Sequence, residues 1–62
     1  MKVRDLEKVL HDYVSIYTMD EFFECVDLVD KVKYDDIPEE FLDREVRIIG
    51  AIDCRHVDIR VE

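Results

Sequence analysis

The chain contains one glycine and one proline in 62 residues, and this scarcity limits how it can turn. Gly50 is the sole glycine, so a tight turn elsewhere that needs positive φ must be built from aspartate or another charged residue. So turn-poor a chain, 48% hydrophobic, is not a disordered tail. Long apolar runs are also missing, so no segment approaches a membrane span. The start, Met1-Lys2-Val3-Arg4-Asp5, has a charged lead with no apolar run behind it, which predicts no secretion signal. Cys25 and Cys54 lie far apart, and without such a signal they read as reduced thiols in a cytoplasm. There is no glycine-rich phosphate loop, no GxSxG elbow and no Cys-x-x-Cys pair. Bases are few. A net charge of -8 argues against direct binding to a nucleic-acid backbone, whose counterions are displaced by Lys and Arg. It argues equally against an anionic membrane surface.

The charge that is present is unevenly placed. Between Asp20 and Glu45 stand eleven acids and only three bases, Lys31, Lys33 and Arg44, a difference equal to the whole net charge. Such a concentration favours either plain solubility or a basic partner. The 62 residues make a single domain, 1–62, with a modest core, for which self-association is a natural source of extra buried surface.

The strongest local signal is Asp35-Asp36-Ile37-Pro38-Glu39-Glu40-Phe41-Leu42-Asp43-Arg44-Glu45-Val46. Proline suits the first turn of a helix, and the residue before it avoids helical geometry, so Ile37 should be extended. Asp35 or Asp36 can cap the turn that follows, and Glu39 and Glu40 sit where the helix dipole favours negative charge. Upstream, Val3, Leu6, Val9, Leu10 and Tyr13 recur at three- and four-residue steps and predict an amphipathic helix of about three turns, with His11 near its end. From Tyr13 the period changes to alternation through Thr18, a short strand. The next segment supports two readings. Thr18-Met19-Asp20-Glu21 fits a capping box that would open a helix to about Lys31, while Phe22, Glu24, Val26, Leu28 and Asp30 fit an irregular strand. At the end, Val46–Asp53 and Val57–Glu62 predict a hairpin whose turn, Asp53-Cys54-Arg55-His56, pairs Ile52 with Val57 and Ile48 with Val61. That register sets Arg47 opposite Glu62 and leaves Ile49 and Ala51 as a small outer apolar patch suited to an oligomer contact.

No catalytic residue, metal site or cofactor is expected. Asp53, Cys54 and His56 make the most reactive-looking spot, but a thiol–imidazole or metal site there would need convergence with His11 or Cys25 that the spacing does not require. The pairs Asp35/Asp36 and Glu39/Glu40 lack the loop chemistry of a calcium or magnesium site. Tyr17, Phe22, Phe23, Tyr34 and Phe41 read as core rather than as a base-stacking platform, because their neighbours are acidic.

The opening Lys2-Val3-Arg4-Asp5-Leu6 with Val9-Leu10, and the stretch Asp36 to Val46, resemble a group of small acidic proteins of phages and prophages of gut bacteria, mostly uncharacterised. The likeness covers both ends. Across the middle those proteins have a hairpin with a glycine turn, whereas this chain has Met19-Asp20-Glu21. The resemblance favours a second strand near Phe22–Asp27, and hence an α+β fold in the order α-β-β-α-β-β with a small antiparallel sheet. Some members are anti-CRISPR or other anti-defence proteins. The resemblance thus implies a non-enzymatic protein, in the cytoplasm of a bacterial host, that inhibits a nucleic-acid-processing host protein such as a CRISPR effector. The resemblance carries over no functional residue; charge complementarity with a basic groove instead points to an acidic contact face of Asp27, Asp30, Asp35, Asp36, Glu39, Glu40 and Asp43. Two alternatives stand beside it: a homo-oligomeric structural or accessory phage protein joined through Ile49 and Ala51, and an oligomeric protein acting directly on DNA.

Overall fold

A computed structural model describes all 62 residues. Four strands form one mixed sheet: β1 (Tyr13–Met19), β2 (Cys25–Lys33), β3 (Val46–Asp53) and β4 (His56–Val61), in spatial order β2-β1-β4-β3. The two outer pairings are antiparallel, but central β1 and β4 run parallel, so the sheet is mixed rather than antiparallel. A parallel neighbour needs a long crossover. Here it runs through β2, a 3-10 turn at Tyr34–Asp36, the short helix α1 (Glu39–Leu42) and β3.

One face of the sheet carries the core. Val14 and Ile16 of β1 stand beside Val57 and Ile59 of β4, and Val29 and Val32 of β2 continue the row. Val3, Leu6, Leu10, Ile37 and Leu42 close over them from the N-terminal segment and the α1 layer. The other face has no covering layer. It carries Tyr13, Ser15 and Tyr17 of β1 beside His56, Asp58 and Arg60 of β4.

The N-terminal segment is not a three-turn helix. It forms one 3-10 turn, Val3–Leu6, in which Lys2 N–H donates to Asp5 Oδ2 at 2.9 Å. The apolar spacing still delivers Val3, Leu6 and Leu10 to the core while Val9 stays exposed. Two tertiary constraints shorten it: Lys2 bridges Glu45, and Tyr13 is already committed to strand pairing with Lys33 and His56. The span between them is shorter than an isolated helix needs.

The ambiguous middle is a strand, beginning at Cys25 rather than Phe22. Asp20 does not cap a helix. Its Oδ1 accepts from Phe22 N–H at 2.8 Å and from Glu24 N–H at 2.9 Å, fixing a turn without glycine. Phe23 takes φ 61 in that turn, the left-handed region that a β-branched or bulky side chain rarely adopts. Around the proline, Ile37 is extended as its position predicts, with φ -72 and ψ 124. Asp35 and Asp36 form their own 3-10 turn and place no side-chain cap on α1.

The β3–β4 hairpin exists, but one residue out of the expected register. The strands extend to Asp53 and His56, which pair across the two-residue turn Cys54-Arg55, and a bulge at Ile52 then shifts the ladder so that Ala51 opposes Val57 and Ile49 opposes Ile59. Asp53 Oδ1 accepts from Arg55 N–H at 2.8 Å and tightens the turn. Ile49 and Ala51 therefore share the core side of the sheet, and Ile48 moves to the bare side opposite Arg60. A second irregularity between Val46 and Ile48 shifts the ladder by one more residue, to Val46 opposite Val61, and the Arg47–Glu62 ion pair forms nonetheless.

Candidate interaction surfaces

The acidic residues fall into two groups. Asp35, Asp36, Glu39, Glu40 and Asp43 lie on the layer that covers the core, all exposed. Asp27 and Asp30 lie on β2. Asp27 opposes Tyr17, and Asp30 reaches Ser15, so both belong to the bare face. Within the layer, Arg4 holds two of the acids. Its Nε donates to Asp43 Oδ1 at 2.7 Å and its Nη2 to Glu39 Oε1 at 3.1 Å. The hydrogen bond from Arg4 draws the Asp43 carboxyl below its usual pKa, and the same bonds raise that of the guanidinium. Asp35, Asp36 and Glu40 form no ion pair and remain open to a partner's cations.

Ile49 and Ala51 lie on edge strand β3, beyond the reach of the covering layer. Ile49 is 46% exposed although its cross-strand partner Ile59 is 0% exposed. Ile48 and Ile52 are exposed as well, so β3 offers apolar side chains along a strand edge with no neighbour.

Phe22 and Phe23 are not core. They project from the β1–β2 turn at 74% and 80% exposure, between Glu21 and Glu24. Their apolar spacing could be fitted to either a helix or a strand. What decides their exposure is the Asp20 turn, which places both beyond the end of the sheet. Tyr34 and Phe41 do pack against the core. Burial raises the pKa of the Tyr34 phenol.

Ser15 carries a role that the alternation of β1 alone did not signal. Its Oγ accepts from Lys31 N–H at 3.0 Å and lies 2.6 Å from His56 Nε2 and 3.4 Å from Asp30 Oδ1. A bulge in β2 causes this. Lys31 takes φ 47, and its amide turns to the serine opposite. The single hydroxyl proton goes either to His56 or to Asp30. In a serine–histidine–carboxylate relay the carboxylate holds the imidazole; here Asp30 reaches the serine instead.

His56 also lines the molecule's one hollow, about 370 Å³, with Tyr13, Lys31, Asp53, Cys54 and Arg55. His11 is not part of it. Cys25 stands at the opposite end of β1, its Sγ 3.5 Å from Met19 Sδ. No group of three or more His, Cys, Asp or Glu side chains is placed to hold a metal ion. No helix is long and apolar enough to cross a membrane. No family model, curated protein or solved structure matches the chain.

Proposed function

We propose that this chain is a protein-binding module of the phage anti-defence type, which inhibits a nucleic-acid-processing host protein by docking its acidic layer onto a basic surface. The observation that carries the reading is the set Asp35, Asp36 and Glu40, exposed on one short stretch and outside every ion pair of the fold. Carboxylates that serve only to cap a helix would bond the free N–H groups of α1, and these do not. A compact acidic surface complements the groove in which a nuclease or nucleic-acid sensor holds phosphates, and long-range attraction accelerates the encounter. Glu39 and Asp43 act differently. They tie the layer to the N-terminal turn through Arg4, so the free acids sit on a fixed support.

The test is capture from a bacterial host lysate by tagged wild-type protein and by the triple variant Asp35→Lys, Asp36→Lys, Glu40→Lys. The proposal expects the wild type to recover a nucleic-acid-processing protein and the variant to lose it. Equal recovery by both overturns the acidic docking surface.

A second reading, a homo-oligomer joined through Ile49 and Ala51, is favoured by the exposed apolar edge of β3. It expects a mass that rises with concentration in analytical ultracentrifugation, and a return to monomer on Ile49→Lys.

A further inference from the structure

The hollow differs from the rest of the surface in the sign of its charge. Lys31 and Arg55 line it, with His56 at its wall, in a protein of net charge -8. The ammonium groups of Lys31 and Lys33 lie 5.3 and 5.6 Å from the centroid of the Tyr13 ring, which lines the hollow. Asp53 also lines the hollow, and its Oδ1 accepts the Arg55 amide, so two cations stand there against one carboxylate. The chain order gives no hint of this grouping. The parallel pairing of β1 with β4 sets Tyr13 beside His56, and Tyr13 N–H donates to Arg55 O at 2.9 Å, which binds the β3–β4 turn to the start of β1. Opposite Tyr13, β2 supplies Lys33 in register, and the bulge supplies Lys31. A left-handed backbone at a lysine costs of order 1 kcal/mol or more, and it persists here where that lysine borders the hollow.

From this geometry we infer a binding site for a small phosphate-bearing ligand of mononucleotide size. Arg55 offers a planar fork of donors suited to two phosphate oxygens, and Lys31 a mobile point charge. The volume falls within the range of small-ligand sites. Ser15 is the positioning residue. With Lys31 N–H donating to its oxygen, the hydroxyl proton can pass to His56 Nε2, which fixes the tautomer that carries its proton on Nδ1. The imidazole then keeps one N–H donor for an anion without having to become charged. The exposed face of Tyr13 supplies the surface for a base or sugar, and a stacked base there replaces one of the two lysine ammoniums. Repulsion by the distant acids is screened beyond roughly 8 Å at physiological salt, so the local cations govern binding.

The test is a titration of the full chain with adenosine monophosphate, inorganic phosphate and adenosine, followed through the backbone amide resonances. The inference expects saturable shifts at Tyr13, Lys31, Arg55 and His56 with the nucleotide, weaker binding of phosphate alone and none of adenosine. Arg55→Glu, in an exposed turn, should weaken the nucleotide about tenfold or more while leaving the other resonances in place. Tyr13→Leu should weaken the nucleotide and leave phosphate unchanged. Absence of saturation, or shifts that survive Arg55→Glu, overturns the site. Phosphate binding as tightly as the nucleotide overturns the stacking role of Tyr13.

Discussion

Ile49 and Ile59 face one another across β3 and β4, yet one is 46% exposed and the other 0% exposed. Truncating each to alanine removes the same atoms from two environments in the same register. At Ile59 the side chain lies between the sheet and the covering layer, and its loss leaves a closed cavity. Such changes cost about 2–5 kcal/mol. At Ile49 about half the side chain is already in water, no closed cavity forms, and the cost is about 1 kcal/mol or less. The total stability of a chain this size is about 3–9 kcal/mol, so Ile59→Ala should leave the protein close to its unfolding threshold and Ile49→Ala should not. Urea unfolding followed by circular dichroism, at two protein concentrations, makes the comparison. For a monomer with a bare β3, the midpoint falls far more for Ile59→Ala and neither midpoint depends on concentration. Equal losses would refute the reasoning, because they would mean that β3 is covered in solution. If they also depended on concentration, the covering body would be a second copy.

The remaining predictions address single features of the structure. Ser15→Ala strands the Lys31 amide and removes the partner of His56, and should cost about 1–3 kcal/mol in the same unfolding assay. Phe23→Asn keeps φ 61 accessible and gives up little packing from a side chain already in water, so it should stabilise by up to about 1 kcal/mol and raise the midpoint of thermal unfolding. Asp43 has a folded-state pKa below its unfolded value because Arg4 donates to it. Its contribution is therefore present above the unfolded carboxylate pKa and is lost as pH falls through the lowered folded one. Acid titration of wild type and Arg4→Ala, followed by fluorescence or circular dichroism, should show that part of the acid-side loss only in the wild type.

The parts of the fold that were legible in the sequence are those set by local rules. The Ile37-Pro38 boundary follows from proline sterics, and the β1 and β4 strands follow from strict alternation around Val14–Ile16 and Val57–Val61. Parallel pairing of β1 with β4 was not legible, because it depends on where the crossover leads the chain and not on any pattern within either strand. The hairpin slip has a similar cause. Two successive isoleucines, Ile48 and Ile49, fit either face, and the bulge between Ala51 and Asp53 decides between them. The N-terminal spacing identified the right core residues but the wrong element, since Val3, Leu6 and Leu10 satisfy both a long helix and one 3-10 turn followed by a bend. Phe22 and Phe23 were misread because hydrophobicity alone places aromatics inside. The acids of the candidate surface were visible as a cluster in the chain, whereas their division between the layer and the bare face required the strand register. The basic hollow was hidden entirely, because Tyr13, Lys31 and Arg55 meet only in three dimensions.

The central claim is that the free carboxylates of Asp35, Asp36 and Glu40 draw the protein to a basic surface. It is tested most directly by affinity capture of host proteins at low and at high salt. The account predicts recovery of a nucleic-acid-processing protein at low salt, with recovery falling steeply as ionic strength rises. A specific partner held equally well at both salt concentrations, or recovery of nothing but the chain itself, would contradict it.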